Sequence, residues 1–177
     1  MALETYFLIG SSAVAGMGAV PDVRAGRIPN WFTYSSLIAG LLIRVSLSHW
    51  TGLRLGLLGM LAGGGIFYLL MLLGGMGGGD VKLMAAVSAW AGIADTWVIL
   101  IATAIAGGIL ALVYVLFRKQ VWQTLRNTFE LIRHHVTHGL KPHPELNIHQ
   151  EGAVRIPYGL AIALGTLYCL GQTISWR

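Results

Sequence analysis

Long apolar segments occupy most of this chain and constrain its fold more than any other feature. A membrane-spanning helix needs roughly 20 apolar residues in a row, within a range of about 17–25. Only 11% of the 177 residues are charged, whereas about 25% is usual in a soluble domain. We therefore expect a single all-α, polytopic membrane domain over residues 1–177 with about six transmembrane helices. The predicted spans are residues 3–20, 31–48, 53–73, 81–94, 96–117 and 156–174.

The connection at residues 118–155 is the long one, and it contains five of the six histidines. We predict a cytoplasmic amphipathic segment here, with a surface helix over about residues 120–138 and a proline-containing loop after it. His134 and His138 have the spacing of a metal-binding pair. No obvious carboxylate or cysteine ligand accompanies them, so a solvated basic face is the simpler interpretation. We expect no metal and no organic cofactor.

Basic residues predict the orientation in the membrane. Nine of the twelve lysines and arginines lie in the 21–30 loop, near the glycine run or in the 118–155 segment. With six spans, these three regions share one face. Positive residues favour the cytoplasmic face, so both termini should lie outside an inner (cytoplasmic) membrane. The formal net charge of +5 is explained by this anchoring, and a nucleic-acid partner is not expected.

Two aspartates lie next to apolar segments, where carboxylates are costly and usually functional. Asp22 follows the first predicted span, and Asp80 ends a run that begins at Gly74 and contains five glycines. Two complete spans separate the aspartates, so both lie on the same membrane face. Two close carboxylates share a proton, and one can then act as general base on water while the other acts as general acid. The expected chemistry is peptide hydrolysis.

Other interpretations of the two aspartates remain open at this point. Asp80 is a suitable N-cap for the helix that follows it, and Asp22 after Pro21 suits a solvated turn. If both are caps, the protein is a non-catalytic membrane scaffold. If both are buried, it can equally be a proton- or cation-coupled membrane transporter.

Three ordered motifs resemble those of one family, the type IV prepilin peptidases, which are Gly-x-Gly-Asp intramembrane aspartyl proteases. The first motif, residues 22–30, ends in Ile-Pro-Asn. The second, residues 77–82, is Gly-Gly-Gly-Asp-Val-Lys and continues as Leu-Met-Ala-Ala-Val-Ser-Ala-Trp. The third, residues 155–159, is Arg-Ile-Pro-Tyr-Gly.

The resemblance implies that Asp22 and Asp80 are the catalytic pair. It also implies a substrate, a pilin-like precursor with a basic leader and an apolar helix, which is cut at the cytoplasmic border of the lipid bilayer. Many bacterial members carry an added cytoplasmic domain with paired cysteines and methylate the new terminus. This chain resembles instead the short form without that domain, associated with tight-adherence (Flp-type) pili, or an archaeal relative.

Five further residues are candidates for shaping the site or binding substrate. Gly77, Gly78 and Gly79 can let backbone approach closely, and the short 81–94 span suggests that their loop lies below the headgroups. Lys82 and Arg155 can hold an acidic substrate group or an aspartate, but basic residues at helix ends commonly anchor at headgroups. The second glycine run, residues 63–65, is either a substrate gate or a close-packing surface.

The orientation can be tested by cysteine labelling in intact cells. In a Cys169→Ser background, we would place single cysteines in the 21–30 loop, at Ser48 and in the 141–151 loop. An impermeant thiol reagent added outside should label only Ser48→Cys, because only that position is expected outside. Labelling of either loop from outside would contradict the predicted orientation.

Overall fold

The computed structural model describes residues 2–117 and 157–175. In this part of the chain every regular element is an α-helix, so the all-α expectation is confirmed there. Arg155, the His134/His138 pair and the predicted amphipathic segment lie outside the described residues. The helices are α1 (Ala2–Ala25), α2 (Asn30–Leu72), α3 (Gly78–Ala91), α4 (Ile93–Phe117) and α5 (Tyr158–Ser175).

Several predicted helix boundaries were wrong by a few residues. Helix α1 continues through Pro21 to Ala25, because a proline inside a membrane helix is tolerated where neighbouring groups satisfy the freed carbonyl. Helices α3 and α4 each begin three residues before their predicted starts. Gly78 and Gly79 are therefore helical, and Gly92 alone separates α3 from α4. Gly92 has a φ of 79°, which a glycine adopts without steric cost.

Helix α2 contains a break at His49. At 1.5 Å per residue its 43 residues would extend about 65 Å, twice the roughly 30 Å of a bilayer core. His49 has φ 51° and ψ −140°, which is not helical. This break divides α2 into residues 30–48 and 50–72, which correspond to the predicted spans 31–48 and 53–73.

Contacts with α3 show that the two segments of α2 run in opposite directions. Along residues 30–48, Asn30 meets Lys82 near the start of α3, and Arg44 meets Ala91 at its end. Along residues 50–72 the order reverses, since a Cβ on Gly56 would contact Ala89 and one on Gly64 would contact Ala85. Helix α2 is therefore a helical hairpin that packs around α3.

Helix α3 forms the centre of the bundle. It has only 14 residues, as short as the sequence predicted, and it contacts all four other helices. Its side chains are buried on every face, with Leu83, Met84, Ala86, Val87 and Ala89 fully inaccessible. The outer helices instead expose large apolar side chains, as a bilayer requires.

Three helices are long and apolar enough to cross a membrane by length and composition within the described residues. The three are Leu3–Ala25, the broken helix Asn30–Leu72 and Ile93–Tyr114.

Arg44 fixes the C-terminal end of α3. Its side chain is fully buried, and a buried charge costs several kcal/mol unless it is well paired. Nε donates to the Trp90 carbonyl at 2.8 Å, and Nη2 donates to the Ala91 carbonyl at 2.7 Å. Nη2 also pairs with Glu4 at 3.0 Å, and the guanidinium lies 4.2 Å from the Phe7 ring centre. One side chain thus caps the last turn of α3 and ties α2 to α1.

Small residues of α2 allow its second segment to lie against the backbone of α3. A Cβ on Gly59 would collide with the Ser88 carbonyl oxygen and lie 2.9 Å from the Gly92 carbonyl carbon. A Cβ on Gly63 would meet the Ser88 side chain, and one on Gly64 would lie 2.9 Å from Ala85 Cβ. Both contacts favour the close-packing interpretation of this glycine run. Gly65 faces open space, with nothing within 4 Å of the position that a Cβ would take there.

Gly59→Ala and Gly65→Ala should therefore change stability in opposite directions. Gly59→Ala should destabilise by about 1–3 kcal/mol, because neither backbone neighbour can rotate away. Gly65→Ala should be neutral or stabilising by about 0.5–1 kcal/mol, since alanine favours the helix. Thermal unfolding of both purified variants in one detergent measures the difference. Equal melting temperatures would contradict the contact between α2 and α3.

Candidate active site

Asp22 lies in the final turns of α1 and is buried, with 9% of its surface exposed. The backbone N–H of Gly159, at the start of α5, donates a hydrogen bond to Asp22 Oδ2 at 2.7 Å. A Cβ on Gly159 would lie 2.8 Å from the same oxygen and 3.2 Å from Ala19 Cα. Only glycine fits between α5 and α1 here. The expectation of a solvated turn residue at Asp22 was wrong, because α1 continues past it.

Asp80 lies in the first turn of α3 and is partly buried. The N-cap of the helix is Gly77, so the prediction that Asp80 is itself the N-cap was wrong by three positions. Asp80 Oδ2 accepts a hydrogen bond from the Gly77 backbone N–H at 3.2 Å. The Asp80 backbone N–H donates in return to the Gly77 carbonyl at 3.1 Å. A carboxylate in the first turn also interacts favourably with the helix dipole.

The packing of α1 against α3 brings the two aspartates to one end of the bundle. The helices run antiparallel, since Ser11 Oγ donates to the Val87 carbonyl at 2.9 Å, while Gly18 faces Leu83 further down. Asp22 lies one turn beyond Gly18 along α1, and Asp80 lies one turn before Leu83 along α3. The register therefore directs Asp22 towards the first turn of α3, which contains Asp80.

Two connections reinforce this arrangement. The loop after α1 folds back onto α3, because Ile28 Cβ lies 3.5 Å from the position of a Cβ on Gly79. On another side, consecutive residues of α5 reach both aspartates. Gly159 bonds to Asp22, and Tyr158 lies close enough to Asp80 for the carboxylate charge to act on its phenol. The start of α5 thus contacts Asp22 and lies near Asp80.

The remaining predicted site residues have more local contacts. Lys82 Nζ donates to Asn30 Oδ1 at 2.8 Å and lies 5.2 Å from the Tyr34 ring centre. Lys82 therefore links α3 to the Ile-Pro-Asn motif rather than extending into bulk solvent. A Cβ on Gly78 would lie 3.7 Å from Met71 Sδ. In the part of the chain that the structure describes, no three metal-ligating side chains come together.

Sequence reasoning missed Tyr158 and Gly159 as site residues. The signal was present, since both belong to the third motif at residues 155–159. The sequence could not predict the contact between Gly159 and Asp22, because these residues lie 137 positions apart. Only the docking of α5 on α1 brings them together.

Comparison with known proteins gives one match to a family. The model of the type IV leader peptidase family matches residues 8–112, which is more than half of the chain. The matched range contains Asp22, Asp80 and the glycine run between α2 and α3, and it ends before α5. No curated protein matches the chain. No solved structure matches it either.

Gly159→Ala should displace the Asp22 carboxylate, and the contact of the added Cβ with Ala19 Cα should also lower the stability of the bundle, which thermal unfolding in detergent measures separately. We expect cleavage of a pilin-like precursor, the activity that the sequence motifs imply, to fall by about 100-fold, as misplacement of a reacting group by about 1 Å can cause. Gly171→Ala on the same helix is the matched control, because nothing lies within 4 Å of its added Cβ. Unaltered cleavage by Gly159→Ala would show that the contact has no catalytic role.

Proposed function

This chain belongs to the type IV leader peptidase family, and we propose that it is a membrane aspartyl endopeptidase. Its substrate is a type IV pilin-like precursor, from which it removes the leader peptide at the cytoplasmic membrane border. The observation that supports this best is the convergence of Asp22 and Asp80 at one end of the bundle, through the antiparallel register of α1 and α3. A leader peptidase needs two acids near a membrane face, and the described residues offer this pair.

The proposed mechanism uses one shared proton. One aspartate is ionised and removes a proton from water, whose oxygen attacks the scissile carbonyl carbon. The other aspartate is protonated and donates to the carbonyl oxygen, giving a tetrahedral diol without a covalent enzyme intermediate. Collapse of the diol breaks the C–N bond, and the proton taken from water passes to the leaving amine. The carboxylates exchange roles during the cycle.

Backbone donors suit this chemistry. Gly159 N–H holds Asp22 Oδ2, and Gly77 N–H holds Asp80 Oδ2. Amide donors do not titrate in the working pH range, so they orient each carboxylate without competing for the shared proton. Each acid thus accepts a hydrogen bond from a glycine N–H at its Oδ2.

The proposed topology has six spans, with α2 contributing two through its break at His49. Helix α3 is the short fourth span, at about 21 Å against a core of about 30 Å. Its first turn therefore lies below the headgroup level, where irregular backbone is tolerated only beside protein or a wet cavity. The apolar helix of the precursor docks laterally from the bilayer, and its basic leader remains in the cytoplasm. The proposed location is the inner membrane, with both termini outside.

Asparagine substitutions test the aspartate pair. Asp22→Asn or Asp80→Asn keeps side-chain size and removes proton exchange, so each should reduce precursor cleavage to near background. The double variant should be scarcely worse than either single one, because members of one catalytic unit are not additive. The pH profile of the parent enzyme should show two apparent ionisations that belong to the pair. The measurement is cleavage of purified precursor, followed by mass spectrometry of the released leader.

Controls separate chemistry from folding. Each single variant should still insert and still bind precursor, because the apolar helix supplies much of that contact. Glu145→Gln, an acid-to-amide change in the long polar segment, should retain cleavage. Substantial cleavage by either folded aspartate variant would refute the shared-proton mechanism. Ion-dependent flux without cleavage by the parent protein would favour a transporter instead.

A further inference from the structure

A cavity of about 520 Å³ lies at the end of the bundle opposite the aspartate pair. Glu4, near the start of α1, lines it, whereas Asp22 lies near the end of the same helix. The volume falls within the range of about 300–1,000 Å³ that is typical of small-molecule sites. Charged and apolar residues share the wall, and those that matter here are Glu4, Arg44, Asp95, Leu8, Leu55 and Ile93.

Arg44 brings an unused hydrogen-bond donor to this wall. Its side chain is fully buried, and its Nε and Nη2 donate to two carbonyls and to Glu4. Its Nη1 has no acceptor among the described residues. Nη1 lies beside Gly92, which also lines the cavity, at 3.3 Å from the position of a Cβ there. Leaving such a donor unpaired in an apolar environment is costly.

Asp95 brings an unused acceptor. Its carboxylate lies in the first turn of α4, where the charges of Glu4 and Arg44 act on it. Within the described residues it receives no hydrogen bond. Because Glu4 already pairs with Arg44, the described wall of the cavity holds a second carboxylate, that of Asp95, and one guanidinium nitrogen that has no partner among the described residues.

Exposed aromatic side chains indicate the depth of the cavity in the bilayer. Tyr6 near Glu4, Trp50 after the break in α2, and Trp97 one turn into α4 are each at least half exposed at this end of the bundle. Tyrosine and tryptophan concentrate at the membrane–water interface, at the level of lipid headgroups. The cavity is therefore at the depth where phospholipid headgroups are the most abundant small polar groups.

We propose that this cavity binds the headgroup of an ethanolamine phospholipid. The primary ammonium donates to Asp95 and Glu4, and a phosphate oxygen accepts from Arg44 Nη1. The glycerol end of the lipid lies along Leu8 and Leu55. A choline headgroup lacks N–H donors and a glycerol headgroup lacks the cation, so neither pairs with Asp95 and Glu4 as a primary ammonium does.

The test is a lipid-binding measurement on the full-length protein, independent of any peptidase activity. Purified protein in detergent would be mixed with phospholipids of identical acyl chains that carry ethanolamine, N,N-dimethylethanolamine, choline or glycerol headgroups. Native mass spectrometry then counts the lipid retained. We expect the ethanolamine lipid to be preferred over the choline lipid by about tenfold, the effect of one charged hydrogen bond. Binding should fall stepwise as the amine is methylated.

Two variants assign the site. Asp95→Asn should abolish the preference for ethanolamine, whereas Glu151→Gln, on the face that the sequence assigns to the cytoplasm, should keep it. Ala94→Leu, which fills the cavity without changing charge, should lower retention even if Asp95→Asn does not fold. Equal retention of ethanolamine and choline lipids by the parent protein would overturn the proposal. So would a preference for the glycerol headgroup, or an unaltered preference in folded Asp95→Asn.

Discussion

The capping of α3 by Arg44 is the interaction on which the rest of the bundle depends. A helix buried on every face cannot use water to satisfy its terminal carbonyls, so a protein group must do it. Arg44 donates to the carbonyls of Trp90 and Ala91 and pairs with Glu4. Arginine suits this position because its planar guanidinium serves several acceptors at once and stays charged. Helix α3 can therefore end at Ala91, well short of a full span.

A short central helix that is fixed at one end determines where its other end lies. The N-terminal turn of α3 carries Asp80, and the antiparallel register with α1 directs Asp22 towards the same turn. Lengthening α3 by a turn at Ala91 would require Arg44 to leave its acceptors. Lengthening it before Gly78 would remove Gly77 from the N-cap position, where its N–H holds the Asp80 carboxylate. The depth of the acids in the membrane thus follows from the packing at both ends.

The sequence predicted those parts of the structure that depend on local composition. The lengths of the apolar runs predicted the helices, including the short α3. The two spans between Asp22 and Asp80 predicted that both lie on one face. The predicted helix boundaries were wrong where a tertiary contact outweighed a local preference for ending a helix. Proline and glycine normally disfavour helices, yet Pro21 lies inside α1 and Gly79 inside α3, because packing partners outweigh propensity in a dense bundle. The bond from Gly159 to Asp22 could not be predicted, since it depends on how α5 docks.

The glycines around the aspartates have a different role from those that pack α2 on α3. At Gly59 a Cβ would meet backbone and force two helices apart, so the cost is one of stability. At Gly159 a Cβ would meet the Asp22 carboxylate as well as the Ala19 backbone, so part of the cost falls on the geometry of a reacting group. A side-chain donor such as serine would need the space that the acid occupies. Because glycine has no side chain, its backbone N–H can approach the carboxylate closely and hold it by a hydrogen bond. It also adds no group that titrates. The same reasoning applies to Gly77 and Asp80, which explains why both acids adjoin glycines although they lie on different helices.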